Sequence, residues 1–189
     1  MKTPFKPGTM IYPLPAVMVS CGDEPGNWNI ITIAWTGTLC SDPPMCYISV
    51  RPERHSHAII SRTGEFVINL TTEALARATD WCGVRSGRDY NKFREMGLHA
   101  EEAQLVKAPL IKESPLNIEC RVFEVRRLGT HDMFMANVVA VDAEESLIDK
   151  STGQFQLNHA GPLAYSHGKY YGLGEKLGGF GFSVKKKGH

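Results

Sequence analysis

The chain has 189 residues, a formal net charge of +1, a hydrophobic content of 42% and a charged content of 22%. These values are ordinary for a soluble globular protein, and the length favours one domain over residues 1–189. The small net charge excludes the strongly basic face that nucleic-acid-binding domains carry. The five cysteines are odd in number and form no CxxC pair, which indicates reduced thiols in the cytoplasm. No apolar run is long enough for a signal peptide or a membrane span, so neither is predicted.

Short strands and helices alternate irregularly in the first half of the chain. Hydrophobic alternation predicts strands over 16–22, 29–36 and 45–50, with a polar loop before the third strand. A helix is predicted from Pro52 to a stop near Gly64, because proline is tolerated in the first helical turn. A strand over 65–70, a helix over 71–82 and a short helix between Asp89 and Gly97 follow.

Two long strands are predicted in the second half, over 117–125 and 133–141. The first has one polar face, whereas the second is apolar on both faces, as in a central strand. The tight turn LGTHD joins them, so we expect an antiparallel hairpin. Short strands recur over 161–174. Because strands dominate, the sequence predicts a mainly β fold, an antiparallel barrel with inserted short α-helices.

The sequence contains none of several common catalytic and nucleotide-binding motifs in its full form. The segment GLGEKLGG contains Gly-x-Gly, but it lacks the strand before and the helix after that a dinucleotide-binding unit needs. The sequence contains no P-loop, no His-Glu-x-x-His pattern and no Gly-x-Ser-x-Gly elbow. His55 and His57 are two residues apart and point in different directions on a helix, so no metal site is predicted.

Residues 29–61 carry the remaining candidate chemistry. A core strand is followed by short side chains that can hydrogen-bond: Thr36, Gly37, Thr38, Cys40 and Ser41. The next strand end and the first predicted helical turn carry Arg51, Arg54, His55 and Ser56. The first set suits a flat polar ligand, and the second suits a phosphate at the positive end of a helix. Together they fit a mononucleotide, although a charged, well-capped surface helix is the alternative for the second set.

Three residues each allow a structural and a functional interpretation. Trp35, at a strand end, is either a core residue or a flat wall beside a ring system. His131 is either a plain turn residue or a residue at a barrel mouth, where substrates meet the site. Cys40 lacks a neighbouring base in its loop, so it is a weak candidate nucleophile and a plausible soft contact to a ring.

At these residues the sequence resembles the flavin reductase-like FMN-binding split-barrel family and, within it, the flavoredoxin subgroup. The resemblance rests on blocks at 29–60, 65–76, 86–93, 129–141 and 162–187. It implies a six-stranded antiparallel Greek-key barrel, a homodimer and one FMN per subunit near the dimer interface.

The resemblance also implies roles for individual residues. The residues implied to line the flavin ring and the ribityl chain are Trp35, Thr36, Gly37, Thr38 and Cys40. Asn29 and Thr32 are implied to support the pocket of the ring. The phosphate end is assigned to Ser49, Arg51, Arg54, His55 and Ser56. Residues that reach or cover the flavin are Lys92, Tyr165, Lys169 and Tyr170. His131 is assigned the catalytic position that faces the nicotinamide, although Thr130 replaces the family's Asp beside it.

The implied function is an FMN-binding oxidoreductase, in which NADH or NADPH transfers a hydride to flavin N5. The alternative is an FMN-bound electron carrier that receives electrons from a redox protein. Thr130 favours this carrier slightly, and the basic tail lysines 185–187 could then dock an acidic partner. A third hypothesis, a small barrel that binds nucleic acid or sugar without redox chemistry, lacks the basic face it needs.

Overall fold

The computed structural model describes residues 1–184, and the tail lysines 185–187 lie outside the described residues. The strands of the described part are β1 (Leu14–Pro15), β2 (Val17–Cys21), β3 (Asn29–Ile33), β4 (Thr36–Ser41), β5 (Pro44–Val50), β6 (Glu65–Asn69), β7 (Ala100–Glu101), β8 (Leu110–Ile111), β9 (Leu116–Arg127), β10 (Asp132–Ala143), β11 (Leu163–Ser166) and β12 (Lys169–Gly172). The α-helices are α1 (His55–Thr63), α2 (Ala76–Val84) and α3 (Lys92–Met96), and short 3-10 helices occur at Glu73–Leu75, Glu145–Leu147, Leu157–Ala160 and Phe182–Val184.

Within residues 1–184, the main sheet has seven strands in the order β3-β2-β6-β9-β10-β5-β4. Every neighbouring pair in this sheet is antiparallel. The two longest strands, β9 and β10, form the predicted hairpin. The two end strands of this sheet, β3 and β4, are joined through Ala34 and Trp35 alone, so the sheet must curl round and bring its two ends together. The predicted mainly β split barrel with inserted short helices is confirmed, and its main sheet has seven strands where the resemblance implied six.

Two apolar clusters hold the barrel and its helices together. The first fills the barrel with side chains from β2, β3, β5, β6, β9 and β10, and α1 contributes Ile59 and Ile60. The second lies on the outer side of β2 and β3, where Met18 and Ile30 pack with residues of α2 and α3. Alternate side chains of a strand point to opposite faces, so β2 and β3 supply both clusters. This packing fixes α2 and α3 beside β3.

The polar loop predicted before the third strand is wrong over most of its length. Thr36–Ser41 form β4, an edge strand paired with β5, and the strand predicted over 29–36 ends at Ile33. The short polar side chains of 36–41 suit a half-exposed edge strand as well as they suit a loop. The predicted polar connection is therefore reduced to a tight turn at Asp42 and Pro43.

The helix predicted from Pro52 begins later than expected. Residues 52–54 form a turn, in which the Arg54 amide donates to the carbonyl of Arg51 at 3.0 Å, and α1 starts at His55. The predicted stop is confirmed, because Gly64 caps the helix with a φ of 70°. Glycine adopts this left-handed conformation at low cost, which explains why the helix ends there.

All five cysteines are free thiols, and the predicted core positions of Cys46 and Cys120 are confirmed. Their sulfur atoms lie 3.4 Å apart inside the barrel. Within residues 1–184, no helix is both long enough and apolar enough to cross a membrane.

A buried carboxylate anchors the loop before β8. Glu119 is fully buried, and its two oxygens accept the amides of Gln104, Leu105 and Val106 at 2.7, 2.7 and 3.1 Å. Glu119→Gln removes part of this acceptor capacity, so we expect the free energy of unfolding to fall by about 2 kcal/mol. Urea denaturation measures the change, with exposed Glu102→Gln in the same loop as the control. Equal stability of the two variants would contradict the anchoring role.

Candidate functional site

Two adjoining clefts lie where the β3–β5 end of the barrel meets α2 and the start of α1. The first has a volume of about 460 Å³ and the second about 380 Å³. Ile31, Arg54 and Gly83 line both of them, so the two clefts form one continuous groove. Its size lies in the range of small-molecule and cofactor sites.

Two aromatic rings in tilted contact, those of Trp35 and His131, line one part of the first cleft. The centroids of Trp35 and His131 are 4.4 Å apart, and the ring planes are tilted by 43°. Trp35 keeps 37% of its surface exposed, so it is a wall residue rather than a core residue. Burial, together with the charge of Arg51, lowers the pKa of His131 below its usual value. At neutral pH the His131 ring is therefore uncharged, and this part of the cleft is aromatic and neutral.

Three tyrosines in or just before the small sheet β1-β11-β12 also line the first cleft. Tyr12, Tyr165 and Tyr170 all line it, and the ring centroids of Tyr165 and Tyr170 are 5.5 Å apart. Burial and the nearby carboxylate of Asp80 raise the pKa of Tyr170 to about 12. The Tyr170 hydroxyl therefore keeps its proton, which it donates to the carboxylate of Asp80.

The second cleft is basic. Its cationic and imidazole side chains are Arg54, Arg85, Arg88, Lys92 and His55. The acidic side chain of its lining, Glu53, lies 3.6 Å from Arg51 of the neighbouring cleft. Helix α1 begins in this cleft with no side-chain cap and no acidic residue in its first turn. Such a helix start leaves amide donors and a positive dipole end facing the cleft, which suits an anion.

Buried polar residues form the base of the second cleft. Asn29, at the start of β3, donates to the hydroxyl of buried Ser56 at 2.8 Å. Lys92 is only 4% exposed, and its ammonium donates to the carbonyl of Cys82 at 2.6 Å. Burial lowers the pKa of Lys92 to about 8. Burial also lowers the pKa of His55, with the charges of Arg88 and Lys92 as further causes.

The groove brings together most of the predicted site residues. The first cleft contains Thr32, Trp35, Ser49, Arg51, Arg54, His131, Tyr165 and Tyr170. The second contains Asn29, Arg54, His55, Ser56 and Lys92. Loop and helix residues that are distant in sequence therefore meet in one place.

The groove of this chain does not include Thr36, Gly37, Thr38, Cys40 and Lys169. The first four lie on edge strand β4, where the Thr36 hydroxyl donates to the carbonyl of Tyr47 at 2.6 Å. A Cβ at Gly37 would lie 3.2 Å from the Tyr47 ring. Lys169 is exposed at the start of β12. The hydrogen-bonding capacity of β4 is used partly within the sheet rather than at the groove.

Sequence reasoning missed the contribution of α2 and of the loop that follows it. Asp80, Gly83, Arg85, Gly87 and Arg88 all line the groove. A Cβ at Gly83 would lie 3.2 Å from the Cβ of Thr32, so the helix and strand approach closely only with glycine there. The signal was present in the sequence as CGVRSGR, which alternates glycines with arginines next to a predicted helix end.

Gly87 is expected to be intolerant of a side chain. A Cβ at this position would lie 2.6 Å from the side-chain Cγ of Asn29, so Gly87→Ala must displace Asn29 from Ser56. We expect a loss of about 1–3 kcal/mol in the free energy of unfolding and a distorted second cleft. Chemical denaturation checks this, with Gly26→Ala as the control because a Cβ there meets nothing within 4 Å. A Gly87→Ala variant as stable as this control would contradict the close packing.

A split β-barrel that carries one elongated groove, aromatic at one end and basic at the other, defines a small barrel protein with a cofactor-sized site. The flavin reductase like domain model matches residues 9–174, and the chain belongs to this family.

Solved structures and a curated relative agree with this assignment. Flavoredoxin of Desulfovibrio vulgaris (Miyazaki F) is 30% identical with a TM-score of 0.89, over 97% of this chain and 99% of that chain. Flavoredoxin from Methanosarcina acetivorans is 26% identical with a TM-score of 0.88, over 98% and 100%. The reductase component of a 4-nitrophenol 4-monooxygenase/4-nitrocatechol 2-monooxygenase from Rhodococcus opacus is 28% identical, over 74% of this chain and 64% of that protein.

Proposed function

We propose that this protein is an FMN-binding oxidoreductase that holds the flavin ring in the first cleft and the phosphate in the second. The observation that carries the proposal is the continuity of the two clefts, with a basic, uncapped helix start at one end. A phosphate needs cationic and amide donors, and the second cleft offers Arg54, Arg88 and the start of α1. Reduced thiols and the family of the chain favour a cytoplasmic location.

The side chains of the groove have separate tasks in this proposal. Arg54 lines both clefts and therefore orients the ligand along the groove. Trp35 and His131 limit the position of a ring in the first cleft, and the uncharged Tyr170 lines the same cleft. When bound, a flavin supplies the redox chemistry itself, so no protein acid–base pair is required. The side chains that line the groove suit binding of a ligand, which is all that such a reaction requires of the protein.

The electron donor separates two versions of the function. In the first, His131 and Trp35 would hold the nicotinamide ring of NADH or NADPH beside the flavin, and the nicotinamide would supply the hydride. In the second, the protein is an electron carrier supplied by a redox protein. The second is favoured by the 30% identity to a flavoredoxin over 97% of the chain and by Thr130 beside His131. We place the reductase first because the His131 wall is open to a planar donor.

Anaerobic addition of NADH and NADPH to the FMN-loaded protein tests the reductase. We expect the visible flavin absorbance to bleach within seconds with at least one nicotinamide. A flavin that stays oxidised with both, and is reduced by dithionite or a reduced ferredoxin-type protein, would assign the carrier function instead. Failure of the protein to take up FMN would contradict both versions.

A homodimer is part of the proposed assembly. The half of β9 next to the hairpin turn, with the turn itself, exposes apolar side chains: Phe123 at 47%, Val125 at 46% and Leu128 at 54% of their full surface. Apolar side chains grouped on a sheet surface are typical of a contact with another protein. Light scattering is expected to give twice the mass of the chain, and Phe123→Asp should shift the protein towards the monomer. A monomer at all concentrations would contradict the dimer.

A further inference from the structure

Lys92 is the most unusual cation of the second cleft. Arg88 and Arg54 lie on loops, whereas Lys92 is on the first turn of α3 and is 4% exposed. In the part of the chain that the structure describes, its ammonium has one hydrogen-bond acceptor, the carbonyl of Cys82. A lysine ammonium carries three N–H donors, so two remain for a ligand in the cleft.

Among residues 1–184, no carboxylate forms an ion pair or a hydrogen bond with Lys92. Cys82 on α2 and Cys21 on β2 are the acidic groups that act on it, and Arg54 repels it. The other charged or titratable side chains that line the cleft are Glu53, His55, Arg85 and Arg88. Burial raises the pKa of Cys21 to about 12 and that of Cys82 to about 11, so both are neutral thiols near neutral pH. The ammonium form is therefore stabilised poorly until an anion enters the cleft.

We propose that Lys92 makes phosphate binding proton-linked: its ammonium form is a ligand of the flavin phosphate, its neutral form is not, and binding takes up a proton. This inference rests on the proposed function and adds a pH control to the same site. A dianionic phosphate beside Lys92 favours the charged lysine, so the bound state holds more protons than the free state. The affinity for FMN is then highest below the pKa that Lys92 has in the free protein, and it falls as the pH rises above that pKa.

Other groups contribute little to this dependence between pH 7 and 9. The pKa of His55 is lowered by burial in the free protein, so its imidazole is neutral in this pH range before FMN binds. The arginines stay charged, and the second ionisation of a phosphate monoester lies near pH ~6. Because the pKa of free Lys92 is about 8, Lys92 is mostly charged at pH 7 and mostly neutral at pH 9.

The test measures the dissociation constants of FMN and riboflavin from pH 7 to 9 at constant ionic strength by flavin fluorescence. We expect the FMN constant to rise about tenfold over this range and the riboflavin constant to stay level, since riboflavin has no phosphate. Lys92→Met should bind FMN weakly and with no pH dependence, whereas Lys112→Met, an exposed control paired with Glu101, should match the unmodified protein. The proposal would be overturned by an FMN dissociation constant that does not change with pH, or by a riboflavin dissociation constant that changes with pH as much as that of FMN.

Calorimetry gives a second readout that needs no variant. FMN binding at pH 8 in two buffers of different protonation enthalpy is expected to show uptake of about half a proton. Uptake of no proton would overturn the role of Lys92 while leaving FMN binding intact. Absence of FMN binding at every pH would instead overturn the proposed function, and this inference with it.

Discussion

Replacing both Arg54 and Arg88 by methionine is expected to weaken FMN binding by about 100-fold or more and to weaken riboflavin binding by less than about tenfold, because only Arg54 also lines the first cleft. Each arginine offers a charge-assisted hydrogen bond to the phosphate, worth roughly 1.5–3 kcal/mol, and about 1.4 kcal/mol corresponds to a factor of ten. Both residues line the basic second cleft. Fluorescence titration with the two flavins measures the effect.

The comparison between the two flavins separates a local effect from a loss of folding. A misfolded variant would lose both ligands, whereas the proposed geometry loses mainly the one with a phosphate. Arg94→Met is the matched control, because Arg94 is 76% exposed and contacts Glu95 rather than the cleft. Equal losses for FMN and riboflavin, in a variant that unfolds at the normal denaturant concentration, would contradict a phosphate site in the second cleft.

Replacing His131 by alanine is expected to lower kcat/KM for nicotinamide-driven flavin reduction by roughly 10- to 100-fold. The change removes the ring that lies 4.4 Å from Trp35 and forms the exposed wall of the first cleft. Without that wall, a planar hydride donor is held less well against the flavin. FMN binding should change much less than this rate, because the second cleft, which is proposed to hold the phosphate, is untouched. Stopped-flow reduction with NADH and NADPH measures the rate.

The matched control is His159→Ala, an exposed histidine in the 3-10 helix at Leu157–Ala160. Its reduction rate should equal that of the unmodified protein. Because the pKa of His131 is lowered, the reduction rate of the unmodified protein should also be insensitive to pH between about 7 and 8 through this residue. An unchanged rate in His131→Ala would remove His131 from the nicotinamide site and favour the electron-carrier version.

The phosphate end of the groove was predictable because its residues are close in sequence. Arg54, His55 and Ser56 are consecutive, and a helix start with arginines is an anion site by backbone chemistry alone. Arg88 reaches the same cleft from a loop more than 30 positions away, and only the packing of α2 against β3 places it there. Local patterns carry no information on such packing.

The misassigned segment 36–41 shows a second limit. Threonine and glycine near a strand end fit both a ligand-binding loop and a half-exposed edge strand. The segment is a strand because Thr36 pairs with Ile48 and Thr38 pairs with Cys46 on β5. The local sequence of 36–41 does not reveal this partner strand. The barrel itself was predictable, since β9 and β10 have long apolar patterns joined by a tight turn. The roles of the individual site residues came from the family resemblance, because composition alone does not reveal them.

The most direct test of the central claim is a titration of the purified, flavin-free protein with FMN, followed by visible absorbance and flavin fluorescence. The account predicts saturable binding of one FMN per chain, a shifted flavin absorption band and weaker binding of riboflavin. Binding of riboflavin as tightly as FMN would contradict the phosphate site. No binding of either flavin would contradict the proposal that the groove is a flavin site.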